Sequence, residues 1–150
     1  MKRFFVLILV ILSVVACSKE DVTFTDNQGK EVHTVAMEGK WVVVNYWATW
    51  CHSCAEEVGQ INAFYKANRN KNVLVLGVNY DGLDEKSLKL AVNKLNIKYP
   101  VLLTNPAKAL GLKDPGVLPV TFVINPKGEV VKQLLGPQTQ ASLEKAIKGR

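Results

Sequence analysis

Trp41-Val42-Val43-Val44-Asn45-Tyr46-Trp47-Ala48-Thr49-Trp50-Cys51-His52-Ser53-Cys54 is the stretch on which the fold depends. Its first seven residues are apolar apart from Asn45. A strand covered on one face alternates, so this run predicts a central strand buried on both faces. From Ser53 to about Asn68 the pattern changes, and Val58, Ile61, Phe64 and Tyr65 recur at helical spacing. Two cysteines three apart therefore stand where a buried strand hands over to a helix. Two residues between them let both sulfurs meet in the first helical turn. Cys51 at the helix N-terminus would face unpaired N–H groups and the positive end of the dipole, which favour a thiolate. That lowers its pKa and makes it the better nucleophile. Cys54 lies one turn further in, less exposed and placed to resolve a mixed disulfide.

Outward from this junction the order of elements is regular. Val22–Thr25 and Glu31–Thr34 flank Asp26-Asn27-Gln28-Gly29, a hairpin signal. Val73–Asn79 reads as a second buried strand. Asp84–Leu95 reads as a helix with an Asp start and Leu88, Ala91, Val92 and Leu95 inward. Val101–Thr104 is expected to be a short strand, and Asn105–Gly111 a short helix with Pro106 in its first turn. Val120–Ile124 and Val130–Leu135 surround Asn125-Pro126-Lys127-Gly128 and form a hairpin. Thr139–Lys148 closes the chain as a helix with Leu143, Ala146 and Ile147 on one side. Strand, helix, strand, helix, then hairpin and helix imply an α/β fold with a mixed sheet covered on both faces. This is the thioredoxin order, a thioredoxin-like mixed sheet flanked by helices with an extra N-terminal β-hairpin and the Asp84–Leu95 insertion.

Val44 to Cys54, the hairpin from Phe24-Thr25-Asp26 onward, and Gly116-Val117-Leu118-Pro119-Val120-Thr121-Phe122 resemble the TlpA/ResA-like thioredoxin family of membrane-tethered thiol-disulfide oxidoreductases. The resemblance spans roughly residues 22 to 148. It implies that Cys51 attacks and Cys54 resolves, with Trp50 and His52 beside them at the substrate. It implies that Pro119 is a cis-proline next to the disulfide. The backbone of Leu118 would then be free to pair with an extended substrate segment. It also implies that Glu57, one turn after Cys54, lies near the sulfurs, tunes them and handles a proton, whereas Glu56 faces solvent. Two positions depart from related patterns. Asn45 stands where ordinary thioredoxins carry a buried aspartate, which strengthens the case for Glu57. Gly59 replaces a proline usual after the family's glutamate, so the helix is expected to lose its kink there. A cationic His52 would stabilise a Cys51 thiolate and make the protein more oxidising, an effect that exposure would screen.

The N-terminus carries a second signal. Lys2 and Arg3 precede an apolar run from Phe4 to Val15, broken only by Ser13. Such a run is short for a membrane span, which wants about 20 residues, and it fits a secretory signal peptide. Val14-Val15-Ala16-Cys17 resembles the lipobox of bacterial lipoproteins, in which the cysteine is acylated and becomes the new N-terminus. The expected organisation is a signal peptide over 1–16, a lipidated Cys17 with a short tether over 17–21, and the thioredoxin-like domain over 22–150. The resemblance further implies that Ser18 favours export to an outer membrane where one exists. The residence, inner or outer membrane, stays open, with the domain facing the periplasm or extracytoplasmic space. The tether spans about 15 Å at 3.3–3.6 Å per residue, so the domain would ride close to the bilayer.

Composition bounds the alternatives. The 150 residues are 48% hydrophobic and 21% charged, which suits one globular domain and excludes a mainly disordered chain. Without Lys2 and Arg3 the 19 basic residues fall to 17 against 13 acidic, a net charge of +4. The lysines are scattered without a nucleic-acid motif, so no nucleic-acid partner is expected. A zinc site commonly wants two spaced ligand pairs, but His52 lies between the cysteines and His33 is far off in sequence. Covalent haem attachment needs His after the second cysteine, where Ala55 stands. A peroxidase of the peroxiredoxin group would have threonine three before its reactive cysteine, where Ala48 stands. A non-catalytic envelope binding lipoprotein would not need both cysteines.

The reading is a lipid-anchored thiol-disulfide oxidoreductase without metal or cofactor, since the dithiol itself carries two electrons. The resemblance implies reduction of exported proteins bearing disulfides, such as apocytochromes c or metal-site proteins. Recharging would come from a membrane thiol-disulfide electron donor. Oxidase or isomerase action of the same fold is the alternative. A monomer is expected, since no apolar stripe is left over.

Overall fold

A computed structural model describes residues 20–148. The apolar run Phe4–Val15, the lipobox-like stretch, Cys17 and Ser18 lie outside the described residues. The strands are β1 (Thr23–Thr25), β2 (Glu31–His33), β3 (Trp41–Trp47), β4 (Val73–Asn79), β5 (Val101–Leu102), β6 (Val120–Ile124) and β7 (Val130–Leu135). The helices are α1 (His52–Asn68), α2 (Glu85–Lys94), α3 (Ala107–Leu110) and α4 (Gln140–Ile147). Five strands form one sheet in the order β5-β4-β3-β6-β7, and β1 and β2 form a separate antiparallel pair. β3 runs parallel to β4 and antiparallel to β6, so the sheet is mixed as expected.

The unbroken apolar run of β3 puts it in the middle, with side chains packed above and below. Successive strand residues point to opposite faces. Val43 and Trp47 face a core built with Ile61 and Phe64 of α1, Leu88 and Val92 of α2, and Leu143 of α4. Val42, Val44 and Tyr46 face a second core with Phe24 of β1, Met37 and Phe122. Fully burying one large apolar side chain is worth roughly 1.5–3 kcal/mol, so β3 anchors both layers.

The N-terminal hairpin covers the β5 edge. The Asn27 N–H donates to the Val101 carbonyl at 2.8 Å, the Val101 N–H to Asn27 Oδ1 at 2.9 Å, and the Leu103 N–H to the Thr25 carbonyl at 2.9 Å. An edge strand left open is a template for foreign pairing, and these bonds close it. They also shorten β5: the expected strand Val101–Thr104 stops at Leu102, because Leu103 turns its N–H to the hairpin. The expected helix Asn105–Gly111 is reduced to Ala107–Leu110, with Pro106 at its N-cap rather than in its first turn. Gly111 ends α3 in the left-handed region at φ 64°. A 3-10 turn at Val35–Met37 has no counterpart in the sequence reading. α1 runs unbroken through Gly59.

Candidate active site

The reactive pair sits at the C-terminal end of β3. Cys51 is the N-cap of α1 and is joined to Cys54 by a disulfide, with the Cα atoms 5.3 Å apart. The Cys54 N–H donates to Cys51 Sγ at 3.3 Å. A sulfur thus occupies the place where a capping oxygen usually satisfies a free helix N–H. The Ser53 hydroxyl donates to the same sulfur over 3.7 Å. Donors and dipole therefore converge on Cys51, which favours a thiolate once the bond is opened. Cys51 is 7% exposed and Cys54 1% exposed, so Cys51 is the more accessible of the two.

The loop before the pair is held by a residue that sequence reasoning missed. Asp81 Oδ2 accepts the Thr49 N–H at 2.8 Å and the Asn79 amide at 3.0 Å. Burial pushes this carboxyl up, but hydrogen bonds from Thr49, Asn79 and Trp50 outweigh it and hold Asp81 below its usual value. Trp50 is 70% exposed, a large apolar ring standing beside the disulfide. His52 is exposed and its Nε2 lies 3.2 Å from Glu56 Oε1, one turn along the helix. Its imidazole is thus directed along the helix surface. Ala48, three before Cys51, is buried and brings no hydroxyl to the pair.

The Leu118–Pro119 peptide is cis. Leu118 packs between the two cores, including the one that contains Cys51 and Cys54. Its backbone N–H and C=O have no hydrogen-bond partner among the described residues. The Pro119 carbonyl accepts the Gly136 N–H at 2.9 Å, which ties this turn to the loop between β7 and α4.

One turn along α1 from Cys54 lies a buried polar network around Glu57. Glu57 is 2% exposed. Its Oε1 accepts from Asn45 Nδ2 at 2.7 Å and its Oε2 from the Gln138 N–H at 2.7 Å. Burial pushes its carboxyl up to about 7, against the pull of the hydrogen bonds from Gln138 and Asn45. Asn45 also donates to Thr121 Oγ1 at 3.2 Å and accepts from the Tyr99 hydroxyl at 3.1 Å. Tyr99 is held well above the usual phenol range, first by burial and then by the Glu57 charge. Gly77 makes room for this ring: a Cβ there would lie 3.0 Å from Tyr99 and 2.9 Å from Val101. Tyr99 can therefore cross β4 to reach Asn45 on β3.

The structure brings Cys51, Cys54, Trp50, Leu118, Pro119 and Glu57 to one end of the sheet; Cys17 lies outside the described residues. Sequence reasoning marked Asn45 as the place of an absent aspartate but missed Thr121, Tyr99 and Gln138, which complete the polar network around Glu57. The signal for Thr121 was a polar residue inside an apolar strand. The arrangement supports the opening and closing of one S–S bond, with a carboxyl able to hold or release a proton near neutral pH.

Residues 15–133 match the AhpC/TSA family. The chain is 35% identical over 124 residues to the thiol-disulfide oxidoreductase ResA of Bacillus thuringiensis (strain Al Hakam), covering 83% of this chain and 71% of that one. A thiol:disulfide interchange protein of the thioredoxin family from Chlorobium tepidum TLS superposes with a TM-score of 0.72 at 26% identity, covering 85% of this chain and 91% of that one. StoA from Bacillus subtilis shares the fold, with a TM-score of 0.70 at 21% identity, covering 85% and 96%. The chain belongs to the AhpC/TSA family of thioredoxin-like proteins and is a thiol-disulfide oxidoreductase.

Proposed function

We propose that this oxidoreductase is held at a membrane by an acylated Cys17, faces the periplasm or extracytoplasmic space, and reduces disulfides in exported proteins. The observation that carries the redox part is Cys51 as the N-cap of α1, bonded to Cys54 and the more exposed of the two. The family resemblance supports the direction and the class of substrate, apocytochromes c or metal-site proteins. The exposed Trp50 and Val117 and the unpaired backbone of Leu118 form a surface on which an extended substrate segment can lie.

In the reduced protein the Cys51 thiolate attacks one sulfur of the substrate disulfide, and the electron pair of that bond leaves on the other substrate sulfur. A mixed disulfide results. Cys54 then gives its proton to the Glu57 carboxylate and attacks Cys51 Sγ. The Cys51–substrate bond breaks with its electron pair on the substrate, which leaves as a thiolate. Two electrons have moved to the substrate, and the protein holds the Cys51–Cys54 disulfide. A membrane thiol-disulfide donor returns the two electrons.

Cys54→Ser in the native host tests this. The variant is expected to trap envelope proteins as mixed disulfides through Cys51, and Cys51→Ser to trap none and lose exchange. A Cys51→Ser protein that kept exchanging while Cys54→Ser trapped nothing would reverse the roles. For the anchor, Cys17→Ala is expected to release the protein from membranes; unchanged attachment would overturn lipidation.

A further inference from the structure

Asn45 stands in the middle of the innermost strand, buried, with apolar neighbours on both sides. Buried amides must find partners, and this one has three. Nδ2 donates to Glu57 Oε1 and to Thr121 Oγ1, and Oδ1 accepts from the Tyr99 hydroxyl. This set suits an ionised Glu57, which only accepts and which also receives the Gln138 N–H. A protonated Glu57 has a hydroxyl to place. The Gln138 N–H cannot accept it, and a buried donor without a partner is costly.

The amide of Asn45 can accept it after half a turn about its last bond. Oδ1 then faces Glu57 Oε1, and Nδ2 faces Tyr99. The other two partners are hydroxyls, and a hydroxyl both donates and accepts. Tyr99 would accept from Nδ2, and Thr121 would donate to Oδ1. Three bonds exist in either orientation, between the same atom positions; turning gives up the bond that the Tyr99 hydroxyl donates to Oδ1 and supplies the acceptor that a protonated Glu57 needs. An aspartate at this place has no N–H to offer a carboxylate and could not serve both forms without titrating itself.

We propose that Asn45 is the positioning residue through which Glu57 carries a proton, its side-chain amide turning over each time the carboxyl gains or loses one. The amide itself takes up no proton; the one that Glu57 gains comes from Cys54, as in the exchange step above. This inference rests on that reading of Glu57. Burial holds the carboxyl near 7, so both forms are populated around neutral pH. The groups facing Glu57 are Asn45 from β3 and Gln138 from the loop before α4, both neutral. Thr121 of β6 and Tyr99 reach it through Asn45, and Cys54 lies one turn back on α1. No charged side chain is paired with Glu57 among the described residues.

The test is side-chain NMR of the full chain in its disulfide form, labelled with 13C and 15N, from pH 5 to 8.5. The Asn45 side-chain amide and the Glu57 carboxyl carbon are expected to share one midpoint. Cross-relaxation from the amide protons is expected to move from the Glu57 methylenes at high pH to the Tyr99 ring at low pH. An amide that keeps the same neighbours throughout the Glu57 titration would overturn the proposal. In Asn45→Asp the Glu57 midpoint is expected to rise by about a unit or more. The pH at which the mixed disulfide resolves at half its maximal rate would rise with it. A variant that lost stability while keeping the wild-type pH profile would reduce Asn45 to a structural part. Exchange with dithiothreitol separates the two layers. A wild type that exchanges while its amide stays fixed overturns this inference alone, and one that never exchanges removes the reading beneath it as well.

Discussion

Glu57→Gln tests the burial of the site carboxyl through stability. The ordinary glutamate value is 4.5, and burial first, opposed by hydrogen bonds from Gln138 and Asn45, places Glu57 at about 7 in the folded protein. Between these two values the folded state holds a proton that the unfolded state has released. Stability therefore falls as pH rises from about 4.5 to about 7, and levels off above. The gap of about 2.5 units corresponds to about 3 kcal/mol, at 1.36 kcal/mol per unit. Urea unfolding of the disulfide form from pH 4 to pH 8 reads this without interference from the thiols. The amide that Glu57→Gln introduces cannot ionise, so the difference in stability between variant and wild type should shift by about 3 kcal/mol in favour of the variant across that range. The offset at pH 4 does not matter, since only the change with pH is used. If the two stability curves stayed parallel, Glu57 would titrate like an exposed glutamate and the buried network would be refuted.

Gly77→Ala should destabilise by roughly 1–3 kcal/mol in thermal or urea unfolding, because its Cβ would press on Val101 and Tyr99. Thr139→Ala removes the N-cap of α4, whose side chain accepts the Ser142 N–H at 3.1 Å, and should cost about 1 kcal/mol by urea unfolding. Trp50→Ala, at an exposed position, should change stability by less than about 0.5 kcal/mol. The same variant should slow reduction of a protein disulfide while leaving that of a small disulfide unchanged in a turnover assay.

β3, β4, β6 and β7 were legible with the observed bounds because each is a run of strand-forming residues between turn signals. α1 was legible from the helical spacing of Val58, Ile61 and Phe64, and Asp84 marked the start of α2, where its side chain accepts the Ser87 N–H. The dithiol was legible because both of its residues lie within one short stretch. The docking of the hairpin on β5 was not, since it rests on two backbone bonds and one to the Asn27 side chain, between Thr25–Asn27 and Val101–Leu103, segments far apart in the chain. Asn45 stood out only as the place of an absent aspartate. Its role as a donor to Glu57 depends on Tyr99, Thr121 and Gln138, residues distant in the chain that the sheet register brings together. Glu57 itself was singled out by resemblance, and its burial follows from lying on the same face of α1 as Cys54 and Ile61.

The most direct measurement is a redox titration of the protein in dithiothreitol or glutathione buffers, with peptide-resolved mass spectrometry of alkylated Cys51 and Cys54. Both sites should pass from unlabelled to labelled together in one two-electron step. A midpoint near about −270 mV is expected for a reductant, whereas one near about −120 mV would assign it to oxidation. A pair that stayed bridged or stayed free at every poise would contradict the account.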